Sequence, residues 1–217
     1  MMEDFIEKKD VKFYLGNKDI YSHIDALHAC PPQTDRFTGN IVESIINEIN
    51  CSAIMATISR KIVDINRPRN EKNSEAIDEY RDAIRQILEH LSILNENGKL
   101  SRPYLHLAIH GMKDDYNKDI EIGTRYGTTC SQGVKDWILA ELKKGLTSVG
   151  IDNIFPGDIS KSVHRLGDLS SNQHYFGYGE NFNSIQLEFS LNLRQNYRKE
   201  IIKMLSELIL KFCGEFK

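Results

Sequence analysis

The stretch "PYLHLAIHG", residues 103–111, is a strongly apolar run of strand length that ends on a histidine and a glycine. Ahead of it, apolar residues at helical spacing predict a long amphipathic helix. That helix should begin at an N-cap, Asn73 or Ser74, and end at the turn formed by Asn97 and Gly98. A long helix that leads into a buried strand is typical of an α/β protein.

The same alternation extends in both directions along the chain. Apolar spacing predicts helices at residues 41–49, 134–150 and 197–212, and strands at residues 51–59 and 184–190. Strands that alternate with helices of this length predict an α/β fold, a three-layer αβα sandwich around a central mixed, mostly parallel sheet. No repeat or linker interrupts the pattern, so residues 1–217 are expected to form a single domain.

Composition narrows the class of protein and its partners. The chain has 40% hydrophobic and 27% charged residues, as soluble globular proteins do. A net charge of −3, without a basic run that carries aromatic residues, argues against nucleic acid as a partner. No window approaches the roughly 18 apolar residues of a membrane span, and the start lacks a leader pattern, so we expect a cytoplasmic protein with no membrane partner. The sequence leaves the oligomeric state open.

The four cysteines are scattered and form no Cys-x-x-Cys pair. The sequence therefore predicts neither a disulfide framework nor a thiolate zinc site. Any metal must be held by histidines and carboxylates.

Polar residues at strand ends are the candidates for chemistry. His110 ends its strand, and Gly111 after it allows close approach of the backbone. His106 shares the face of His110, because strand side chains alternate with period two, and we expect it in the core or behind His110. Glu188 shares a face with Gln186, which leaves two interpretations: a solvated face of an edge strand, or a general base beside a metal-bound water.

The segment "SRKIVDINRP", residues 59–68, puts several polar groups after an apolar run. A guanidinium matches a carboxylate with two parallel hydrogen bonds, so Arg60, Asn66 and Arg67 could form a carboxylate clamp. Alternatively, the arginines pair with structural carboxylates, of which Asp64 is the nearest. Ligands of α/β sheets bind at the carboxyl ends of strands, where this segment is expected to lie.

Three segments together resemble the N-formylglutamate amidohydrolase family: "SRKIVDINRP", "HGMKDDYNKDIEIGT" and "IQLEFSLNLR". That family typically shows a Ser-Arg-x-x-x-Asp-x-Asn-Arg-Pro segment, a later histidine at a strand end and a Gln-x-Glu strand. The Asp-x-Asn-Arg portion is also similar to that of the aspartoacylase and succinylglutamate desuccinylase group, which shares the zinc exopeptidase fold. The resemblance covers the chain from about His28 to Arg194.

The resemblance implies one zinc ion held by two histidines and a carboxylate. By position, the histidine ligands would be His28 and His110. The usual carboxylate position, three residues after the first histidine, is here occupied by Pro31. The resembled family often has a Thr-Asp pair further along the chain, and "QTDRFTG" supplies such a pair at Asp35. By that resemblance Asp35 is chosen as the carboxylate ligand, with Glu43 as the alternative.

The resemblance also implies roles for the remaining polar residues. Glu188 would act on the bound water as catalytic base and then acid, and Arg60 would stabilise the developing oxyanion. Arg60, Asn66 and Arg67 would bind the substrate's carboxylates, with Arg194 adding to that pocket.

The expected activity is hydrolysis of an amide bond in an N-acyl (for instance N-formyl) amino acid or a related small acidic substrate. Two alternatives stay open. One is a peptidase-like hydrolase that acts on a peptide or γ-glutamyl bond. The other is a metal-free carboxylate-binding module of the same fold.

Overall fold

A central mixed sheet organises the computed structural model, which describes residues 4–114, 119–125, 127–148, 154–158 and 177–216. Within these ranges it has eight strands: β1 (Ile6–Glu7), β2 (Val11–Tyr14), β3 (Ser22–Ala26), β4 (Ser52–Ala56), β5 (Tyr104–Gly111), β6 (Ile120–Gly123), β7 (Ile154–Asp158) and β8 (Phe182–Phe189). Their spatial order is β1-β2-β4-β3-β5-β8-β6-β7. The central strands β4, β3, β5 and β8 run parallel, while β1/β2, β2/β4 and β6/β8 pair antiparallel. The predicted mixed, mostly parallel sheet is confirmed.

Helices cover both faces of this sheet: α1 (Thr38–Ile49), α2 (Ser74–His90), α3 (Gln132–Thr147), α4 (Leu191–Asn196) and α5 (Arg198–Glu215). The apolar faces of α1, α3 and α5 share one core cluster with the sheet, and α2 buries its apolar residues in a second cluster on the opposite face. The three-layer arrangement is therefore also confirmed. None of the helices in the described ranges is both long and apolar enough to cross a membrane.

The central strands are apolar on both sides because both sides are covered by helices. In β5, Leu105 and Leu107 face the cluster of α1, α3 and α5, whereas Tyr104 faces that of α2. Strand β8 lies between β5 and β6 and is an interior strand. The edge-strand interpretation of Glu188 was therefore wrong.

Helix α2 begins at the predicted N-cap but ends earlier than predicted. It stops at His90, and Ser92 adopts a left-handed backbone with φ of 57°. Leu94 then pairs with Leu100 across a turn in which Gly98 has φ of 68°. The apolar spacing beyond His90 reflects packing onto the same core cluster by residues that are no longer helical.

Strand β3, which the sequence did not predict, is fully buried although it carries three polar side chains, Ser22, His23 and Asp25. His23 lies opposite His106 in the parallel register with β5, and their rings stack with centroids 4.1 Å apart. Asp25 Oδ2 lies 2.8 Å from His106 Nε2 and accepts a hydrogen bond of 2.6 Å from the Tyr80 hydroxyl. These residues form a buried polar layer that joins β3, β5 and α2.

Parts of two sequence predictions lie outside the described residues. They are residues 115–118 of the "HGMKDDYNKDIEIGT" segment and residues 149–150 of the helix predicted at 134–150.

Candidate metal centre and active site

Three side chains from separate segments meet at the carboxyl ends of β3 and β5. His28 follows β3 by two residues, His110 is the penultimate residue of β5, and Asp35 lies in the loop that leads to α1. The loop is fixed at both sides of the aspartate. The Asp35 backbone N–H donates to the His28 carbonyl over 2.8 Å, and the Gly111 N–H donates to Asp35 Oδ2 over 3.0 Å. All three candidate ligands are at most 5% exposed.

The three candidate ligand atoms form a nearly equilateral triangle. His28 Nδ1 and His110 Nδ1 lie 3.3 Å and 3.4 Å from Asp35 Oδ2, and the two nitrogens are 3.2 Å apart. A tetrahedral zinc ion with bonds of about 2.0–2.1 Å separates its ligand atoms by about 3.3 Å. The donor set and its spacing therefore fit a single zinc ion.

Hydrogen bonds behind the histidines orient their rings. His28 Nε2 lies 2.9 Å from Asp64 Oδ1, so the ring donates its proton there and turns an unprotonated Nδ1 towards the triangle. His110 Nε2 lies 3.0 Å from the Asn66 side-chain amide. His110 presents an unprotonated Nδ1 only if its Nε2–H donates to Asn66 Oδ1, which requires the amide oxygen and nitrogen to exchange positions.

The neighbouring histidines keep the carboxyl groups of Asp35 and Asp64 ionised. Burial raises the pKa of Asp35, but the bonds and charges of His110 and His28 outweigh it and hold that pKa far below its usual value. Burial also raises the pKa of Asp64, yet His28 and then Arg67 lower it overall. Burial lowers the pKa of His28, whereas its bonds to the two aspartates raise it more, so the net shift is upward. Two ionised carboxylates, Asp35 buried and Asp64 partly buried, place negative charge beside the imidazoles and therefore favour a cation there.

The loop between β4 and α2 carries the polar residues of the "SRKIVDINRP" segment. Asn73, the N-cap residue of α2, fixes this loop because its side-chain amide donates to the carbonyls of Asp64 and Pro68, each over 3.1 Å. Asp64 in turn accepts the Asn66 backbone N–H over 2.9 Å. The α2 N-terminus thus determines where the loop's side chains point.

The two arginines of the "SRKIVDINRP" segment, Arg60 and Arg67, both pair with carboxylates. Arg60 Nη1 lies 3.2 Å from Asp35 Oδ1 and 3.0 Å from His28 Nδ1, at the edge of the triangle. Arg67 Nε donates to Asp64 Oδ2 over 3.1 Å, and its side chain is 61% exposed. Asn66 is buried against His110. The contacts of the two arginines therefore agree with the interpretation that they pair with structural carboxylates. Binding of substrate by Arg60, Asn66 and Arg67 stays a prediction.

Glu188 lies beside the metal candidate in the sheet. It is the register partner of His110 across β5 and β8, so the two side chains share a face and their strands are about 4.8 Å apart. Glu188 Oε1 accepts a hydrogen bond of 2.6 Å from Gln186 Nε2, which orients the half-buried carboxylate. On its other side, Glu188 pairs with Glu121 of β6. A carboxylate in this position can accept a proton from a group bound near His110.

Arg194 is buried and its nitrogens are committed to backbone carbonyls. Its Nε donates to Phe189 and its Nη2 to Met112, each over 3.0 Å, while Nη1 donates to the carbonyl of Arg36. The guanidinium packs directly on Gly111, where any Cβ would collide with it. Burial lowers the pKa of Arg194, although nearby Asp35 opposes the effect. Direct binding of substrate by Arg194 stays a prediction, and these contacts indicate that it holds the backbone.

A cavity of about 490 Å³ adjoins the triangle at Asp35. Arg60 and Arg194 line it, as do two cations that the sequence did not single out, Arg36 and Lys113. No motif or spacing identifies these two residues, because their proximity depends on two loops that are distant in sequence. The full lining comprises Thr34, Asp35, Arg36, Arg60, Gly111, Met112, Lys113, Asp114, Leu191 and Arg194.

Glu43, the alternative carboxylate ligand, lies apart from the triangle. It is an exposed residue of α1 and lines a separate cavity of about 390 Å³. In the part of the chain that the structure describes, two groups have mutually close ligand atoms: His28, Asp35 and His110, and the fully buried His23, Asp25 and His106. Neither group contains Glu43.

Comparison with known proteins identifies solved structures that have the same fold as this chain. No family model and no curated protein sequence matches the chain. Among solved structures, N-formylglutamate amidohydrolase from Ralstonia eutropha JMP134 is similar over 94% of this chain and 97% of that chain, with a TM-score of 0.62 at 15% identity. The two chains therefore share their fold, the α/β arrangement described above.

Two further structures share the fold. The gene product Atu2144 from Agrobacterium tumefaciens is similar over 94% of both chains, with a TM-score of 0.61 at 12% identity. A metallo-carboxypeptidase from Pseudomonas aeruginosa is similar over 92% of this chain and 60% of that chain, with a TM-score of 0.51 at 12% identity. The neighbours whose names state an activity are hydrolases, and this chain carries side chains able to hold a metal.

Proposed function

We propose that the protein is a zinc-dependent hydrolase that cleaves an amide bond in an N-acyl amino acid, such as an N-formyl amino acid, or in a related small acidic substrate. The zinc ligands would be His28, Asp35 and His110. The observation that carries this proposal is the triangle of their ligand atoms, with sides of 3.2 to 3.4 Å. The fold that the chain shares with the N-formylglutamate amidohydrolase structure supports the proposal. The proposal includes a cytoplasmic location and a single domain.

The donor set supports a catalytic metal more than a structural one. Two imidazoles and one carboxylate leave a fourth position open, as catalytic zinc sites do. When bound, zinc would supply a Lewis acid that polarises the amide carbonyl and lowers the pKa of water to about 7. Asp64 and Asn66 would keep both ligand rings turned towards the ion.

Glu188 would move the protons of the reaction. Its place beside His110 lets it take a proton from the attacking water and deliver that proton to the departing nitrogen. Gln186 bonds one carboxylate oxygen and thereby orients the other. Arg60, at the edge of the triangle, would stabilise the negative charge that develops on the carbonyl oxygen.

The roles of the other candidate substrate-binding residues follow from their contacts. Arg67 donates to Asp64 through Nε, so its Nη atoms would contact a substrate carboxylate. Arg194 would contribute through its charge, since carbonyls hold its donors. Asn66 would act mainly through His110.

The experiment combines zinc content with a substrate panel. Purified protein should contain about one zinc per chain, and His28→Ala and His110→Ala should each lose it. His90→Ala is the matched control, because His90 lies in α2 and bonds the Gly16 carbonyl instead. Retention of one zinc by both ligand variants would refute the proposed centre.

The panel should compare N-formyl and N-acetyl derivatives of acidic amino acids with dipeptides and γ-glutamyl compounds. Hydrolysis of the N-acyl compounds supports the proposal. Hydrolysis of the dipeptides or γ-glutamyl compounds alone would replace it with a peptidase-like activity. Absence of zinc after reconstitution would favour a metal-free binding module.

A further inference from the structure

We propose that Arg36 and Lys113 form an anion subsite that binds a second carboxylate of the substrate, remote from the scissile bond, and that Arg194 positions both residues. The assignment of this anion to a substrate rests on the proposed function. The subsite itself is defined by the cavity next to Asp35 and can be tested without turnover.

Both cations line one cavity, and neither has a competing side-chain partner among the residues that the structure describes. Arg36 and Lys113 line the 490 Å³ cavity together with Asp35 and Arg60. Both side chains are exposed, and no hydrogen bond or ion pair joins either of them to another side chain of the described ranges. An exposed arginine or lysine that is not held by a carboxylate is available to bind an anion.

The charge balance of the cavity favours an anion. Of its two aspartates, Asp35 is engaged by the histidine pair and Arg60, and Asp114 Oδ1 accepts the Asn192 backbone N–H over 3.1 Å. Four cations outnumber these two carboxylates: Arg36, Arg60, Lys113 and Arg194.

Arg194 fixes the separation of the two subsite residues. Its Nη1 donates to the carbonyl of Arg36 itself, and its Nη2 donates to the carbonyl of Met112, the residue before Lys113. One buried guanidinium therefore joins two loops, at Arg36 and at Met112, that are more than 70 residues apart in sequence. Gly111 permits this arrangement, since a Cβ there would occupy the place of the guanidinium. The backbone on both sides of the subsite is thus fixed before any ligand binds, which reduces the entropy lost on binding.

The position of the cavity defines the kind of ligand. Asp35 belongs to both the cavity wall and the ligand triangle, so one molecule can reach from the metal candidate to Arg36 and Lys113. The arginine fork binds a carboxylate with two hydrogen bonds, and the lysine adds a point charge. The subsite therefore selects a ligand with two anionic groups over a ligand with one.

The test uses succinate as a two-carboxylate probe and propionate as a one-carboxylate probe, with calorimetry on the zinc-loaded protein. Wild-type protein should bind succinate more tightly than propionate. Arg36→Gln and Lys113→Gln should each weaken succinate binding roughly tenfold, the loss of one charge-assisted hydrogen bond, and should change propionate binding little. Lys203→Gln, which removes the same charge from a side chain 76% exposed on α5, should bind both probes as wild-type does.

Three results would overturn the subsite: equal affinity of wild-type protein for the two probes, no detectable succinate binding, or unchanged succinate binding in both variants. The subsite and the proposed function fail separately. A protein that hydrolyses N-acyl amino acids while Arg36→Gln and Lys113→Gln keep full succinate affinity refutes the subsite alone. A protein that shows the expected succinate losses without amide hydrolysis supports the subsite and refutes the proposed reaction.

Discussion

Replacing Asp64 with asparagine should weaken zinc binding by about 10- to 100-fold without removing any of the three ligands. Asp64 Oδ1 accepts the proton of His28 Nε2 over 2.9 Å, and it also accepts the Asn66 N–H. The asparagine keeps the shape of this contact but not its negative charge. The charge makes the imidazole a better electron donor to a metal and fixes which nitrogen carries the proton.

The size of the effect follows from the surroundings of this pair. The His28 side chain is 6% exposed and that of Asp64 is 18% exposed, so water screens their interaction poorly. A 10- to 100-fold loss corresponds to about 1.4 to 2.7 kcal/mol, in the range of a hydrogen bond to a charged group.

The assay is competition with a chelator of known zinc affinity, at a pH where histidines are neutral. Asp78→Asn is the control, since it removes the same charge from a carboxylate that is 65% exposed and paired with Arg69 on the surface. The reasoning is refuted if Asp64→Asn and wild-type protein hold zinc with equal affinity, or if Asp78→Asn weakens zinc binding as much.

Three further predictions address catalysis, stability and backbone geometry. Glu188→Gln should retain zinc but lose about 10²- to 10⁴-fold in turnover, as removal of a general base does; metal analysis with steady-state rates checks this, and near wild-type turnover would contradict it. Burial, and then the charge of a neighbouring histidine, lowers the pKa of His23 well below 6.5. Below about pH 6.5 the unfolded chain therefore binds a proton that the folded chain does not, so stability decreases as the pH is lowered. In thermal unfolding between pH 5 and 7, His23→Gln should show a smaller decrease than wild-type protein. An equally steep profile for the variant would exclude His23 as the cause. Gly111→Ala should cost about 1–3 kcal/mol in urea unfolding through its collision with Arg194, whereas Gly133→Ala, with no atom near the new Cβ, should cost less than that.

The apolar strands and helices could be predicted from the sequence because their side chains repeat with the period of the element. Residues 104–111 and 182–189 are buried on both faces and read as strands despite the polar His110 and Glu188. Strand β3 could not be predicted, because His23 and Asp25 point into a buried polar layer and imitate a solvent-facing pattern. The periodic spacing of apolar residues indicates a buried element only where the buried side chains are themselves apolar.

The candidate site was predictable only in part, for a related reason. His110 could be found at a strand end, whereas His28 and Asp35 lie in a loop without periodicity and were suggested by resemblance to a family. Arg36 and Lys113 carried no signal at all. Their proximity depends on which carbonyls Arg194 reaches, and this is a tertiary contact that local sequence does not encode.

The anchoring of Arg194 bears on how this pocket could be redesigned or moved to another scaffold. The side chain that joins the two loops, Arg194, belongs to α4, outside both loops that carry Arg36 and Lys113. Either loop, moved by itself to another scaffold, would lose the guanidinium that binds its backbone carbonyl. A functional graft would therefore have to include both loops together with α4, which carries Arg194, and Gly111, on which Arg194 packs.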